Sequence, residues 1–236
     1  MVERPILFNS EMVKAILEGR KIQTRRVVKP QPHYNKIGLL SFKNNCSLGC
    51  QFMVDFCPYG QPGDRLWLKE NWRVGAWNES EGLIAVDYKT DGYCRREWLK
   101  VEDVDLFQRL WKQSTDDASK VFGMLERYDW KPGDSPCRWR PSIHMPRWAS
   151  RITLEITNVR VERLQEITEE DAKKEGCVAE SGEGCAFYPA KLAFELLWNT
   201  IKGKTYPWSS NPWVWVVEFR REEIRKESIS LKEGNK

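Results

Sequence analysis

The stretch LEGRKIQTRR, residues 17–26, gathers the cations Arg20, Lys21, Arg25 and Arg26 around the hydroxyl of Thr24, directly after Gly19. A run of like charge is costly unless water or an anionic partner receives it. No acid occurs between Gly19 and Val54, where Arg20, Lys21, Arg25, Arg26, Lys29, Lys36 and Lys43 supply seven positive charges. A second acid-free stretch, SPCRWRPSIHMPRWASRITL, carries Arg138, Arg140, Arg147 and Arg151 with Trp139 and Trp148 between them. Guanidinium groups take phosphates and indole faces stack on bases, so the chemistry expected of these two stretches is nucleic-acid binding from one side of the molecule. Each stretch alone also fits a solvated basic face with tryptophans packed beneath it. His144, inside the second, fits a proton shuttle, a base-stacking contact or a hydrogen-bonded structural histidine.

One carboxylate stands where physics disfavours it. In ITEEDAKKEGC the cap Thr168 with Asp171, three acids in the first turn, two later lysines and Gly176 describe a short helix, which puts Glu175 against the negative end of the helix dipole. Left exposed, it costs about 0.3–1 kcal/mol. Lys21 or Arg26 beside it would remove the conflict and absorb part of the charge crowded after Gly19. A regular strand points Lys21 and Thr24 to opposite faces, so their convergence requires Lys21 to lie in the turn after Gly19 or a bulge between them.

The elements that must position these residues follow from pattern. RPILF reads as a strand, and NSEMVKAILEG as a helix capped by Asn9 or Ser10 and ended by Gly19. The basic segment continues extended to Val28 and stops at Pro30. Residues 31–60 read as an insertion, and Leu66 to Leu68 as a strand after the Gly63-Asp64 turn. A second insertion spans about 73–149; in it LIAVDY and GYCRREW suggest a hairpin, DVDLFQRLWKQ a helix, and Gln113 to Pro136 a loop. RITLEITNVRVERL alternates as a long strand or bent hairpin, PAKLAFELLWNTIKG is an amphipathic helix, NPWVWVVEFRR is a buried strand, and residues 222–236 form a charged tail without a core face. A single domain over 1–221 is expected.

Composition sets the outer bounds. The hydrophobic fraction of 41% supports a real core, and the net charge is +4. No apolar run reaches the roughly 18 residues of a membrane span, and the first residues lack the apolar centre of a signal peptide, so a cytoplasmic protein without a membrane partner is expected. Seven cysteines in no dense framework fit a reducing compartment. Cys46, Cys50 and Cys57, with Cys137 and His33 as further donors, form no second close pair, so no metal or other cofactor is expected and the thiols read as buried and free.

The order of helix, GRKIQTRR, GDRLW, long strand, ITEEDAKKEG, helix and WVWVVEF resembles the ASCH domain, a PUA-like family linked to RNA, over residues 4–30, 61–72 and 150–221. That resemblance implies an α+β fold, a mixed β-barrel with peripheral helices, here carrying the two large insertions. The chain is similar in its core motifs to small bacterial N4-acetylcytidine amidohydrolases, and more closely to longer, prophage-associated ASCH proteins. Gly19, Lys21, Thr24 and Arg26 complete a Gly-x-Lys-x-x-Thr-x-Arg pattern, and the resemblance implies Lys21, Thr24 and Glu175 as a catalytic set. The chemistry is self-consistent: Thr24 offers a hydroxyl, Lys21 a base once desolvation and its cationic neighbours lower its pKa, and Glu175 an orienting carboxylate. Substrate or RNA contacts are expected from Arg20, Arg25, Arg26, Arg138, Arg140, His144, Arg147 and Trp148. The two readings are an amidohydrolase acting on an acylated cytidine and a non-catalytic reader of RNA or modified nucleic acid. Neither needs an obligate protein partner.

Overall fold

The computed structural model describes residues 1–34, 40–42, 46–47, 54–91, 97–125, 128–178 and 189–222. Strand β1 (Glu3–Leu7) leads into helix α1 (Ser10–Leu17), whose first turn is capped by the Asn9 carboxamide oxygen accepting from the Met12 amide at 2.8 Å. The chain then enters β2 (Gln23–Val27) and three short strands, β3 (His33–Tyr34), β4 (Leu40–Phe42) and β5 (Cys46–Ser47), that pair with one another. Strand β6 (Arg65–Lys69) is followed by β7 (Trp72–Asn78), β8 (Leu83–Tyr88), β9 (Glu97–Lys100) and helix α2 (Val104–Phe122). The remaining elements are β10 (Thr153–Arg163), α3 (Glu169–Lys174), α4 (Ala190–Lys202) and β11 (Trp213–Arg221).

Five strands form the main sheet in the order β1-β6-β10-β11-β2. β1 lies parallel to β6, and β6-β10, β10-β11 and β11-β2 are antiparallel, so the protein is α+β with a mixed sheet. The long strand takes a register shift between Ile156 and Asn158, where its alternation breaks. Its apolar face joins Ile6, Phe8, Val13, Leu66, Trp215 and Phe219 in the first core. The opposite face of the sheet, through Val214 and Val216, packs on Phe194 and Trp198 of α4 and Ala172 of α3.

Two expectations are corrected. The main sheet is open rather than a closed barrel: β1 and β2 are its edges, and among the described residues no ladder joins them. A side chain ties those edges instead, since Arg26 of β2 donates to the carbonyl of Leu7 at the end of β1 at 2.6 Å. The expected loop from Gln113 onward is helical as far as Phe122, because Ser114, Asp117 and Ala118 form a buried face of α2. Their polar groups are satisfied locally: Ser114 donates to the Leu110 carbonyl at 2.7 Å, and Asp117 accepts from the Arg138 amide at 3.2 Å.

Strands β7, β8 and β9 make a second antiparallel sheet with its own core of Trp72, Val74, Ile84, Val86, Phe107 and Leu110. The second basic stretch belongs here. Among the described residues no cluster suited to a metal ion occurs, and no helix is long and apolar enough to cross a membrane. Cys57 and Cys137 are buried free thiols in different cores. Cys50 and residues 223–236 lie outside the described residues.

Candidate functional site

Gly19, at φ 75°, turns the chain out of α1, and the amides of Arg20 and Lys21 both donate to the Ala15 carbonyl, at 2.9 and 3.0 Å. Lys21 therefore lies in the turn, two residues before β2 begins, and the alternation of that strand does not bind it. It forms an isolated antiparallel bridge with Glu175, and the neighbouring Ile22 amide donates to the Lys174 carbonyl at 2.9 Å. The end of α3 is thus stitched to the segment entering β2.

Across this bridge the Lys21 ammonium donates to Glu175 Oε2 at 2.7 Å and to the Glu175 carbonyl at 2.9 Å. Arg20 donates to the carbonyl of Gly176 at 3.0 Å. Cations from one segment thus receive the last carbonyls of α3, where the dipole end is negative and Glu175 adds a further anion. Gly176, at φ 90°, makes this approach possible: a Cβ there would lie 3.1 Å from the Cβ atoms of both Ala15 and Lys21.

Burial is severe, with Lys21 at 2%, Thr24 at 3% and Glu175 at 5% relative exposure. Desolvation pushes the Lys21 ammonium below the ordinary lysine range, against the opposing pull of Glu175. Burial, and then the Glu175 carboxylate, push the Cys177 thiol up to about 11, so the one cysteine at this corner is not a thiolate at neutral pH.

In β2 the side chains alternate, so Thr24 and Arg26 share one face while Gln23 and Arg25 share the other. On the first face Phe8 is the common reference: Arg26 stands over its ring at 5.0 Å from the centroid and Lys21 Nζ at 5.6 Å. Thr24 makes no hydrogen bond through its hydroxyl among the described residues. Burial pushes the Tyr59 phenol up against the opposing field of Arg26, which sets a neutral hydroxyl near that guanidinium.

The other face corrects an expectation. Arg25, read as a nucleic-acid contact, has a fully buried side chain and pairs with Glu162 of β10, with Asp171 of α3 at 3.1 Å and with Glu175 at 3.4 Å. Arg160 extends the network to Glu162 at 3.0 Å, to Asp171 at 3.3 Å and to Glu218. Asp171 was expected to complete a capping box. Thr168 does cap the Asp171 amide at 3.1 Å, but the Asp171 carboxylate turns to the arginines. Burial would raise the pKa of Asp171, yet the charges of Arg25 and Arg160 outweigh it and hold the group below the usual carboxylate range.

The second basic stretch is not brought to this pair in any described contact. Arg147 pairs with Glu3 at 2.9 Å, on the edge strand opposite β2. Arg140 lies over the Trp72 ring at 5.1 Å and donates to Gln113 at 3.2 Å. Arg138 is exposed beside Asp117, and Trp148 meets Trp72 edge-on at 5.9 Å, packed with the second core. His144 is exposed in a short turn, Ser142–His144. Arg140 and Trp148 serve the second sheet because their partner Trp72 belongs to it, whereas Arg147 is held to the main sheet by Glu3.

Phe8, Glu162, Asp171 and Arg160 were missed in the sequence. Phe8 read only as the apolar end of a strand. For the acids one signal existed, their placement on elements whose neighbours are rich in arginine, but the partners lie 137 and 146 residues from Arg25 along the chain. No protein-family model, no curated protein and no solved structure matches this chain.

Proposed function

We propose that this chain is an ASCH-type protein of PUA-like architecture that takes an RNA nucleotide or modified nucleoside at the corner formed by Lys21, Thr24, Arg26 and Phe8, and that it acts as an amidohydrolase on an acylated cytidine. The observation that carries the reading is the way Lys21 is held. A neutral lysine amine has two hydrogens and one lone pair, and two acceptors of Glu175 lie within 2.9 Å of Nζ. With both hydrogens engaged, the lone pair is left to accept a proton. Desolvation favours that neutral form.

In this mechanism Thr24 Oγ1 attacks the amide carbonyl and Lys21 takes its proton. Lys21 then delivers that proton to the departing exocyclic amine, and water releases the acyl group from Thr24 as a carboxylate. Glu175 orients the amine and stabilises the ammonium that forms, while Arg26 is the donor for the developing oxyanion. Phe8 holds the Lys21 and Arg26 cations against its ring.

The second reading is a non-catalytic reader, in which Lys21, Thr24 and Glu175, each no more than 5% exposed, brace the corner and the ligand rests outside it. Incubation with N4-acetylcytidine, followed by mass spectrometry for cytidine and acetate, separates the two. Turnover by the wild type that disappears in Lys21→Ala and Thr24→Ala supports catalysis. Saturable binding without turnover supports the reader. Absence of both, for the nucleoside and for acetylated RNA, rejects the proposal.

A further inference from the structure

Glu175 is shared between the two faces of the main sheet. On one side Lys21, beside the Phe8 ring, takes Oε2 at 2.7 Å. From the other, Arg25 reaches Oε1 through Nη1 at 3.4 Å. Arg25 belongs to the α4 side, where its guanidinium stands over the Phe194 ring at 5.9 Å and Phe194 packs with Val214 and Val216. Each oxygen of the carboxylate thus meets a different cation.

The far end of the Arg25 fork is fixed as firmly. Nη2 donates to Glu162 of β10 and, at 3.1 Å, to Asp171 of α3. Gln23, fully buried on the same face of β2, satisfies both neighbours when its carboxamide donates to Asp171 at 3.2 Å and accepts from Arg25 Nη1. Arg160 then links Glu162 and Asp171 to Glu218, where the network reaches solvent with side chains 30% and 29% exposed. Arg25 cannot turn away from Glu175 without leaving buried acids short of a cation.

We propose that Arg25 is a positioning residue for the corner: anchored by Glu162, Asp171 and Gln23, it holds Glu175 Oε1 and leaves Oε2 to Lys21. Charges on the α4 side of the sheet thereby set how tightly Lys21 keeps its proton. The catalytic meaning of this rests on the reading of Lys21 as the base, whereas the coupling itself is measurable without substrate. Its sign follows from charge. Arg25 draws on the same carboxylate as Lys21, so removing that cation gives Glu175 wholly to the ammonium and strengthens its hold on the proton. Removing Glu162 leaves Arg25 with less counter-charge, turns it more fully on Glu175 and weakens that hold.

Other charges bear on the same pair. Lys21 also faces Cys177 beyond α3 and Arg26 of β2. Behind Arg25, Asp171 feels Lys174 of its own helix and Arg160 of β10. None of these is altered by a substitution at residue 25 or 162, so opposed shifts from those two positions report the proposed coupling. A merely bracing network would lose stability in both variants and show no opposed shift.

The test follows the titration of the Lys21 side chain through its Cε resonance by NMR, in full chains of wild type, Arg25→Gln, Arg25→Lys and Glu162→Gln. The Lys21 midpoint should rise by about one pH unit in Arg25→Gln and fall by about half a unit in Glu162→Gln. Arg25→Lys should raise it by less than Arg25→Gln, because one ammonium keeps the charge but cannot span the fork. A midpoint unmoved in Glu162→Gln, or moved the same way in Arg25→Gln and Glu162→Gln, would overturn the proposal; so would Arg25→Lys titrating as wild type. Glu162→Gln keeps the shape of a part-exposed side chain, and it decides the matter alone if Arg25→Gln does not fold. With N4-acetylcytidine as substrate, the acid limb of kcat/KM should move as the midpoint does. Shifted midpoints without turnover by the wild type would reject Lys21 as the base and leave the coupling standing.

Discussion

Lys21 and Glu175 form a buried pair in which Glu175 keeps Arg25 as a second cation at 3.4 Å, whereas Lys21 has no other carboxylate among the described residues. Removing one partner of such a pair costs about 3–5 kcal/mol, whereas replacing both with apolar residues often costs far less. Glu175→Ala should therefore lower the unfolding free energy by about 3–5 kcal/mol in urea melts, and Lys21→Met combined with Glu175→Leu should cost clearly less than the sum of the single changes. Strict additivity would show that the two side chains do not interact. The pH dependence has a definite sign. Burial holds the Lys21 pKa below its unfolded value of about 10.4. Between those two values the unfolded chain binds more protons than the folded one, so unfolding free energy from this group rises with pH; below the folded value the penalty for burying the ammonium is fully present. Lys21→Met should abolish that rise in alkaline melts. Arg25 behaves differently from its exposed neighbour Arg20. Arg25→Ala strips three carboxylates of a shared cation and should destabilise the fold, while Arg20→Gln should leave it folded and reduce the salt slope of RNA binding by about 1.

At the scale of elements, the decisive contact is the approach of the end of α3 to the end of α1. Gly176 and Gly19 both have positive φ, but an added Cβ meets Ala15 and Lys21 at Gly176 and nothing within 4 Å at Gly19. Gly19→Ala should cost about 1–2 kcal/mol, the price of the left-handed backbone alone. Gly176→Ala should cost more than that in parallel thermal melts, and it should weaken nucleoside binding because Lys21 is displaced. Equal costs would mean that the two turns do not pack. Some of these elements were legible and some were not, for local reasons. α1 and α3 could be read from Asn9, Thr168 and the glycines that end them, because caps are short-range signals. β7 could not, since Arg73 and Gly75 interrupt its pattern. Gly75 is there because a Cβ would come within 2.3 Å of the Asp87 carboxylate, which pairs with Arg73. The meeting of Lys21 with Glu175 was readable as two charge anomalies that cancel; the burial of Arg25 was not, because its partners sit on distant strands.

At the scale of the molecule, the basic stretches serve different structures. Residues 20–26 brace α3 and the sheet edge, Arg140 and Trp148 brace the second sheet, and Arg147 holds the opposite edge strand through Glu3. Neutralising Arg138 should accordingly leave nucleoside affinity at the Lys21 corner unchanged within twofold by calorimetry, while Arg26→Ala should reduce it; a comparable loss from both would place the second stretch at the corner after all. The order of strands carries one more consequence. Among the described residues β2 finds its ladder only on β11, with Thr24 opposite Val217. During synthesis, then, β2 has no described strand to pair with until β11 has followed it, after every strand of the second sheet. Lys21 acquires its carboxylate only once Glu175 has been made, so a product cut short before that residue is mute at that corner however well its second sheet has folded.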